Sequence, residues 1–479
     1  MYGNSEFTPI FNTNNQALQM LLKTVFGISL ILVVGMPASV RCQSGKNYLD
    51  SLLMITASNY PSIKAKRLQT TALESAVKYQ QNTFIPSLNA SYQVDYATDN
   101  NISGMIYPQY IIPLSGPLSK INGNDYTGIP GGAAALNLNW EPITFGQRGA
   151  AIELAKGKLL YGKADEKLTL FNQQVAVVGA WLNYLLAANL INVYQNNIDR
   201  YVFNLKQAQT LVSSGLRPGT DSSSFSSQYS VAQMQLIAFE RQQDSARIAL
   251  KELAGGTLPK GIVIDSAIFK TLPVVSVSDV TPEDHPQIQL QKADVATNEL
   301  SLSSMKKSVL PKVTLWSTGY GRGSGVEPDG SFNSSDGWRF ERYNYGIGAQ
   351  ITFPVLEVFH QKPLWKQQEL ITEASRQQLA LTQLHLSSEI EMAQSALLKA
   401  IQSARLAPQQ LSSAAFSYNA IQSRYHSGLV SYYDVIQAQQ LLFQAQATVK
   451  VAYYTAWRAL LMLAAYKGDL GLFLNQYGK

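Results

Sequence analysis

The feature that most constrains this chain is that part of it is written twice. The stretch YPSIKAKRLQTTALESAVKYQQNTFIPSL at residues 60–88 returns as HPQIQLQKADVATNELSLSSMKKSVLPKV at 285–313. Pro61, Ile63, Glu74 and Pro86 match Pro286, Ile288, Glu299 and Pro311, each pair 225 positions apart. A repeated unit of this size implies two similar halves and a pseudo-symmetric fold. In each half the stretch reads as a helix that Pro86 or Pro311 stops at the start of a strand, because proline lacks the donor that would continue the helix.

The strands are legible from alternation. After Pro86, Leu88, Ala90, Tyr92, Val94 and Tyr96 alternate with Asn89, Ser91, Gln93 and Asp95, the period-2 pattern of a strand with one apolar and one polar face. The pattern recurs at Leu136, Leu138 and Trp140. It weakens in KVTLWSTGY, and is clear again from Tyr343 through Phe353. Strand pairs are therefore expected at 87–97 with 134–143 and at 311–320 with 343–355. Gly-, Asn- and Ser-rich loops join them at 97–132 and 321–342. A soluble β-sandwich and an outer-membrane barrel both accommodate such strands. Four strands cannot close a barrel, for which about eight are the minimum, so a barrel would have to be shared by several chains.

Between the strands lie helices too long for a compact domain. Residues 145–216 contain no proline inside a helix-forming run, and seventy residues at ~1.5 Å each make a rod of roughly 100 Å. A second helix is expected from Ser222 to Leu253. The second half repeats the layout with helices from Leu364 to Tyr425, broken or kinked at Pro408, and from Ser431 to Tyr466. Their surfaces carry Gln, Asn and Ser more than charge, in keeping with a chain only 15% charged. A cytoplasmic coiled-coil scaffold would share this pattern, but the alternating strands and the N-terminus argue against it.

That N-terminus, MLLKTVFGISLILVVGMPASVRCQ at 20–43, has the cationic start, apolar core and small-residue exit of a secretory signal peptide. Its apolar run is shorter than the roughly 20 residues that span a bilayer. Cleavage after Cys42, a cut nearer Ala38 and lipidation of Cys42 are all readings of this segment. Residues 1–42 are then extension and signal, 43–281 the first repeat and 282–479 the second. Cys42 is the only cysteine, so neither a disulfide nor a thiolate site is expected. The formal charge of +6 is spread along the chain and forms no basic block of the kind that binds nucleic acid.

Two short turns carry the most specific signal: SGLRPGTD at 214–221 and RYHSGLVSYYD at 424–434, within tips at 213–221 and 425–434. Gly215 matches Gly428 and Asp221 matches Asp434, both 213 apart. Glycine supplies the φ freedom that ends one helix, and aspartate suits the start of the next. With these tips the chain resembles the TolC-like outer-membrane efflux family over essentially its whole mature length. The resemblance implies an internally duplicated α+β membrane protein, with four barrel strands and very long antiparallel helices per chain. Three chains would form a twelve-stranded barrel continuous with an α-helical periplasmic tunnel. It implies a homotrimer in the outer membrane that works with a periplasmic adaptor and an inner-membrane RND or ABC transporter, as an efflux or type I secretion duct. It also implies that Gly215, Leu216, Gly428 and Leu429 contact the adaptor, and that Thr220, Asp221, Tyr425 and Asp434 line or latch the closed entrance. Val430 and Gln437 stand where relatives often carry arginine and aspartate, and Arg217 supplies an arginine at the equivalent place in the first tip. An envelope scaffold or adhesin displaying the long loops is the rival class.

No catalytic, cofactor or metal site is expected. His285, His360, His385 and His426 lack ligand spacing, and His385 among leucines reads as structural. GYGRGSG at 319–325 has glycines spaced like a phosphate loop but leads into no helix, and reads as an extracellular loop.

Overall fold

The computed structural model describes residues 45–98, 126–261, 264, 266–274, 282–325, 331 and 333–477. The signal segment, Cys42 and most of the loop between the first two strands lie outside these residues. The first repeat consists of α1 (Gly45–Asn59), α2 (Pro61–Asn82), β1 (Ser87–Ala97), β2 (Ile129–Ile143), α3 (Gln147–Ser213) and α4 (Gly219–Leu253). The second consists of α5 (Pro286–Lys307), β3 (Lys312–Ser324), β4 (Arg342–Thr352), α6 (Glu357–His426) and α7 (Tyr432–Tyr466), followed by the short α8 (Gly471–Leu474).

The duplication is visible residue by residue. α2 and α5 are both 22 residues long and both begin on the proline of the repeated stretch. α4 and α7 are both 35 residues long. Each ends on a glycine with positive φ, Gly255 and Gly468, whose successor's N–H reaches back to Lys251 or Ala464 and satisfies an orphan helix-end carbonyl.

The four strands form one antiparallel sheet in the order β1-β2-β3-β4. Their register puts Leu88, Tyr92, Leu136, Leu138, Tyr343, Tyr345 and Ile347 on one face. Asn89, Gln93, Asn137, Thr318 and Asn344 lie on the other. The apolar face is uncovered over most of its area: Tyr345 is 91% exposed and Ile347 81%. Strands β2 and β3 run further than alternation suggests, from Ile129 and to Ser324. Gly319–Ser324, expected in a loop, therefore continue β3. The alternation is hidden there because Gly319, Gly321 and Gly323 occupy the apolar-face positions, and the Tyr343 ring lies against Gly321. On the polar face the glycines work similarly: Gly346 and Gly348 leave room for the Trp316 ring.

α6 corrects a second expectation. It runs unbroken for 70 residues through Pro363 and Pro408. An interior proline costs about 3 kcal/mol in an isolated helix. Here Ala404 and Ala407 are buried on either side of the turn below Pro408, so packing outweighs the local preference and the helix continues.

The main core is a collar partway along the helices, away from the sheet. Trp181 of α3 is fully buried, stacks on Tyr48 at 4.9 Å and donates through Nε1 to the Tyr477 hydroxyl at 2.8 Å. Trp457 of α7 donates to the carbonyls of Ile268 and Thr271, both at 3.0 Å. The most apolar stretch of α3 would suit a membrane span by composition, but 56% of it is buried inside the fold, so it serves the collar. The Tyr48 hydroxyl is buried there without a partner among the described residues, and burial pushes its pKa up to about 12. Tyr48→Phe removes that orphan group while keeping the ring, so thermal unfolding should shift upward or stay level, by at most about 1 kcal/mol. A marked drop in Tm would show that the hydroxyl has a partner.

Candidate functional site at the paired tips

At the far end of the helices from the sheet, α3 turns into α4 and α6 turns into α7 through the same device. The N–H groups of Gly215 and Leu216 reach the carbonyls of Val212 and Leu211 at 3.0 and 2.9 Å. Those of Gly428 and Leu429 reach Tyr425 and Arg424 at the same distances. This is the Schellman pattern, which needs a left-handed residue; φ is +69° at Gly215 and +75° at Gly428. Open space surrounds both positions, so backbone conformation alone demands the glycine. The following leucines project into solvent, Leu216 at 71% and Leu429 at 69% exposure.

The acidic residues of the two tips have different surroundings. Asp434 completes a capping box: its carboxylate accepts from the Ser431 amide and hydroxyl at 2.8 and 2.7 Å, and its own N–H donates to Ser431. These hydrogen bonds hold it below the usual carboxylate range. Asp221 caps nothing, because its helix opens on Pro218. It is 3% exposed and accepts a hydrogen bond from the Tyr425 hydroxyl, itself 2% exposed, at 3.1 Å. Burial, followed by the neighbouring Asp221 charge, pushes Tyr425 up to about 12.

Thus the fold brings Tyr425 and Asp221 together across the two halves, while Asp434 turns back on Ser431 and Thr220 is exposed. Sequence reasoning missed Phe225 and named Arg217 without giving it a partner. Phe225 is fully buried, edge-on to Tyr425 and Tyr432 at 6.3 Å each. Arg217 crosses to the other tip, donating to the Val430 carbonyl at 2.8 Å with its guanidinium 4.8 Å from the Tyr425 ring centre. An arginine from the first tip therefore reaches the position where the second tip lacks one. Its placement in the repeat was the available signal. Deeper in, Asn204 donates to Tyr418 and Gln439 and accepts from Gln422, a buried polar layer that joins α3 to α6 and α7.

Of the histidines, His285 is buried and caps α5 by accepting from the Gln287 N–H at 3.0 Å, whereas His385 is exposed.

Comparison with known proteins follows the same architecture. The family model described as outer membrane efflux protein matches residues 52–256 and 280–469, one segment per repeat. The chain is 22% identical over 414 residues to the pyoverdine export outer membrane protein OpmQ of Pseudomonas aeruginosa, covering 84% of this chain and 81% of that protein. Its fold is similar to crystal structures of CusC (TM-score 0.72, 14% identity, 91% of this chain and 96% of that one). It is also similar to VceC of Vibrio cholerae (TM-score 0.68, 14% identity, 89% and 99%). Because the family model covers both repeats and the fold agrees over most of the chain, this chain belongs to the outer membrane efflux protein family, and it is an outer-membrane efflux channel whose helices extend into the periplasm.

Proposed function

We propose that three copies of the chain close one twelve-stranded barrel and one helical tunnel. Together they would form the exit duct of a tripartite efflux or type I secretion system. The observation that carries this reading is the sheet itself. Its apolar face is uncovered over most of its area, and among the described residues β1 and β4 each leave one edge unpaired within the chain. Lipid tolerates an apolar face but not an open edge, since unpaired N–H and C=O groups cost several kcal/mol there. Copies arranged in a ring satisfy every edge.

The chain supplies a passive route. Energy would come from an inner-membrane pump, RND or ABC, through a periplasmic adaptor that engages Leu216 and Leu429 beside Gly215 and Gly428. The Tyr425–Asp221 bond would hold each copy's entrance shut, with Thr220 and Asp434 at the rim. The likeness to OpmQ supports export, and the cargo would be set largely by the pump.

Native mass spectrometry of the detergent-extracted protein, paired with planar-bilayer recording, tests this. The expected result is a complex of three chains that conducts. A monomer that binds a surface ligand without conducting would overturn the duct reading in favour of a scaffold or adhesin.

A further inference from the structure

We propose that the outer mouth of the conduit is a cationic ring, built by Arg322 and Arg342, that favours anionic cargo; the proposal rests on the trimeric conduit above. At the end of the sheet remote from the helices, one row of the polar face reads Gln93, Ala133, Arg322, Arg342 across β1 to β4. The two arginines are direct cross-strand partners and both are exposed. Like charges placed opposite each other destabilise a ladder.

Nothing among the described residues relieves them: neither guanidinium has an ion pair or side-chain hydrogen bond there. The contrast lies within the same strand, where Lys312 at the helix-facing end meets Glu141 at 2.6 Å. Arg376 on α6 likewise takes Glu299 and Glu373. Asp336 packs against the sheet at Gly323, next to Arg322, but its carboxylate accepts from Asn333 and Ser335; by register Asp95 stands one row further out on β1, at the opposite edge of the sheet from Arg342. Glu341 lies one residue from Arg342 and alternates away from it. The rows beneath, Ser91–Ala135–Tyr320–Asn344 and Asn89–Asn137–Thr318–Gly346, carry no charge.

The apolar face must meet lipid, so this row faces the lumen, and three copies would set six guanidiniums around one mouth. A water-filled opening with low-dielectric walls focuses such a field and concentrates counter-ions, and arginine rings are how pores select anions and phosphates. Guanidinium also pairs with carboxylate and phosphate through two parallel hydrogen bonds. Among the molecules that a pump delivers, the ring therefore favours those bearing carboxylate or phosphate groups.

The test is the reversal potential of the full-length protein in planar bilayers under a KCl gradient, for wild type, Arg322→Gln/Arg342→Gln and Arg322→Glu/Arg342→Glu. The chloride-to-potassium permeability ratio should fall in that order, by about tenfold or more for the Glu pair, the low end of what a charged cleft does to local ion concentration. Currents that persist with an unchanged reversal potential overturn the ring and leave the conduit standing. If no variant and no wild-type protein conducts, the conduit fails and the ring with it.

Discussion

Tyr425→Phe is expected to make the closed channel leak. The substitution keeps the ring against Phe225 and Arg217 and removes only the hydroxyl that Asp221 accepts at 3.1 Å. A buried carboxylate left without its donor costs about 2 kcal/mol, and that much shifts a closed–open balance about thirtyfold in each copy. Resting conductance in planar bilayers should rise accordingly while the trimer stays assembled. An unchanged resting conductance would remove this pair from the latch.

The same bond predicts a pH dependence. Tyr425 is raised from its ordinary 10.0 to about 12, so the folded tip favours the neutral phenol. The contribution to closure is complete below pH 10 and is lost as pH rises from there towards 12. Wild-type protein should open over that window, and the Phe variant, which lacks the titrating phenol, should show no such step.

The second large effect concerns the sheet. Ile347→Arg places a charge mid-strand on the apolar face, at a residue 81% exposed within the chain. In water such a change would be nearly silent. In a bilayer an arginine at mid-depth costs about 2–4 kcal/mol, once per copy, and the variant should fail to reach the outer membrane in fractionation. Gln350→Arg, on the polar face of the same strand, is the matched control and should insert normally. Equal behaviour of the two would mean that the apolar face does not meet lipid.

Much of the fold is legible locally because its determinants are local. Pro61 and Pro286 open their helices where the repeat puts them, Gly215 and Gly428 end theirs because only glycine sits easily at positive φ, and strand alternation names the two faces of the sheet. The misreadings share one cause, which is a local preference outweighed by neighbours distant in sequence. Pro408 fails to end α6 because buried alanines hold the turn below it, and the glycines of β3 conceal a strand where distant groups take their face, the Tyr343 ring at Gly321 and the Arg339 backbone at Gly323.

The tips show the division most clearly. By itself the sequence determined that two matched turns exist, that each needs a glycine and that each opens its second helix on an acid. It could not tell the two acids apart, since the repeat makes them equivalent. Only the packing of one half on the other decided that Asp434 serves its own helix while Asp221 is buried against Tyr425, 204 residues away. A cap is a bond within one turn, whereas a bond between elements exists only once those elements have met.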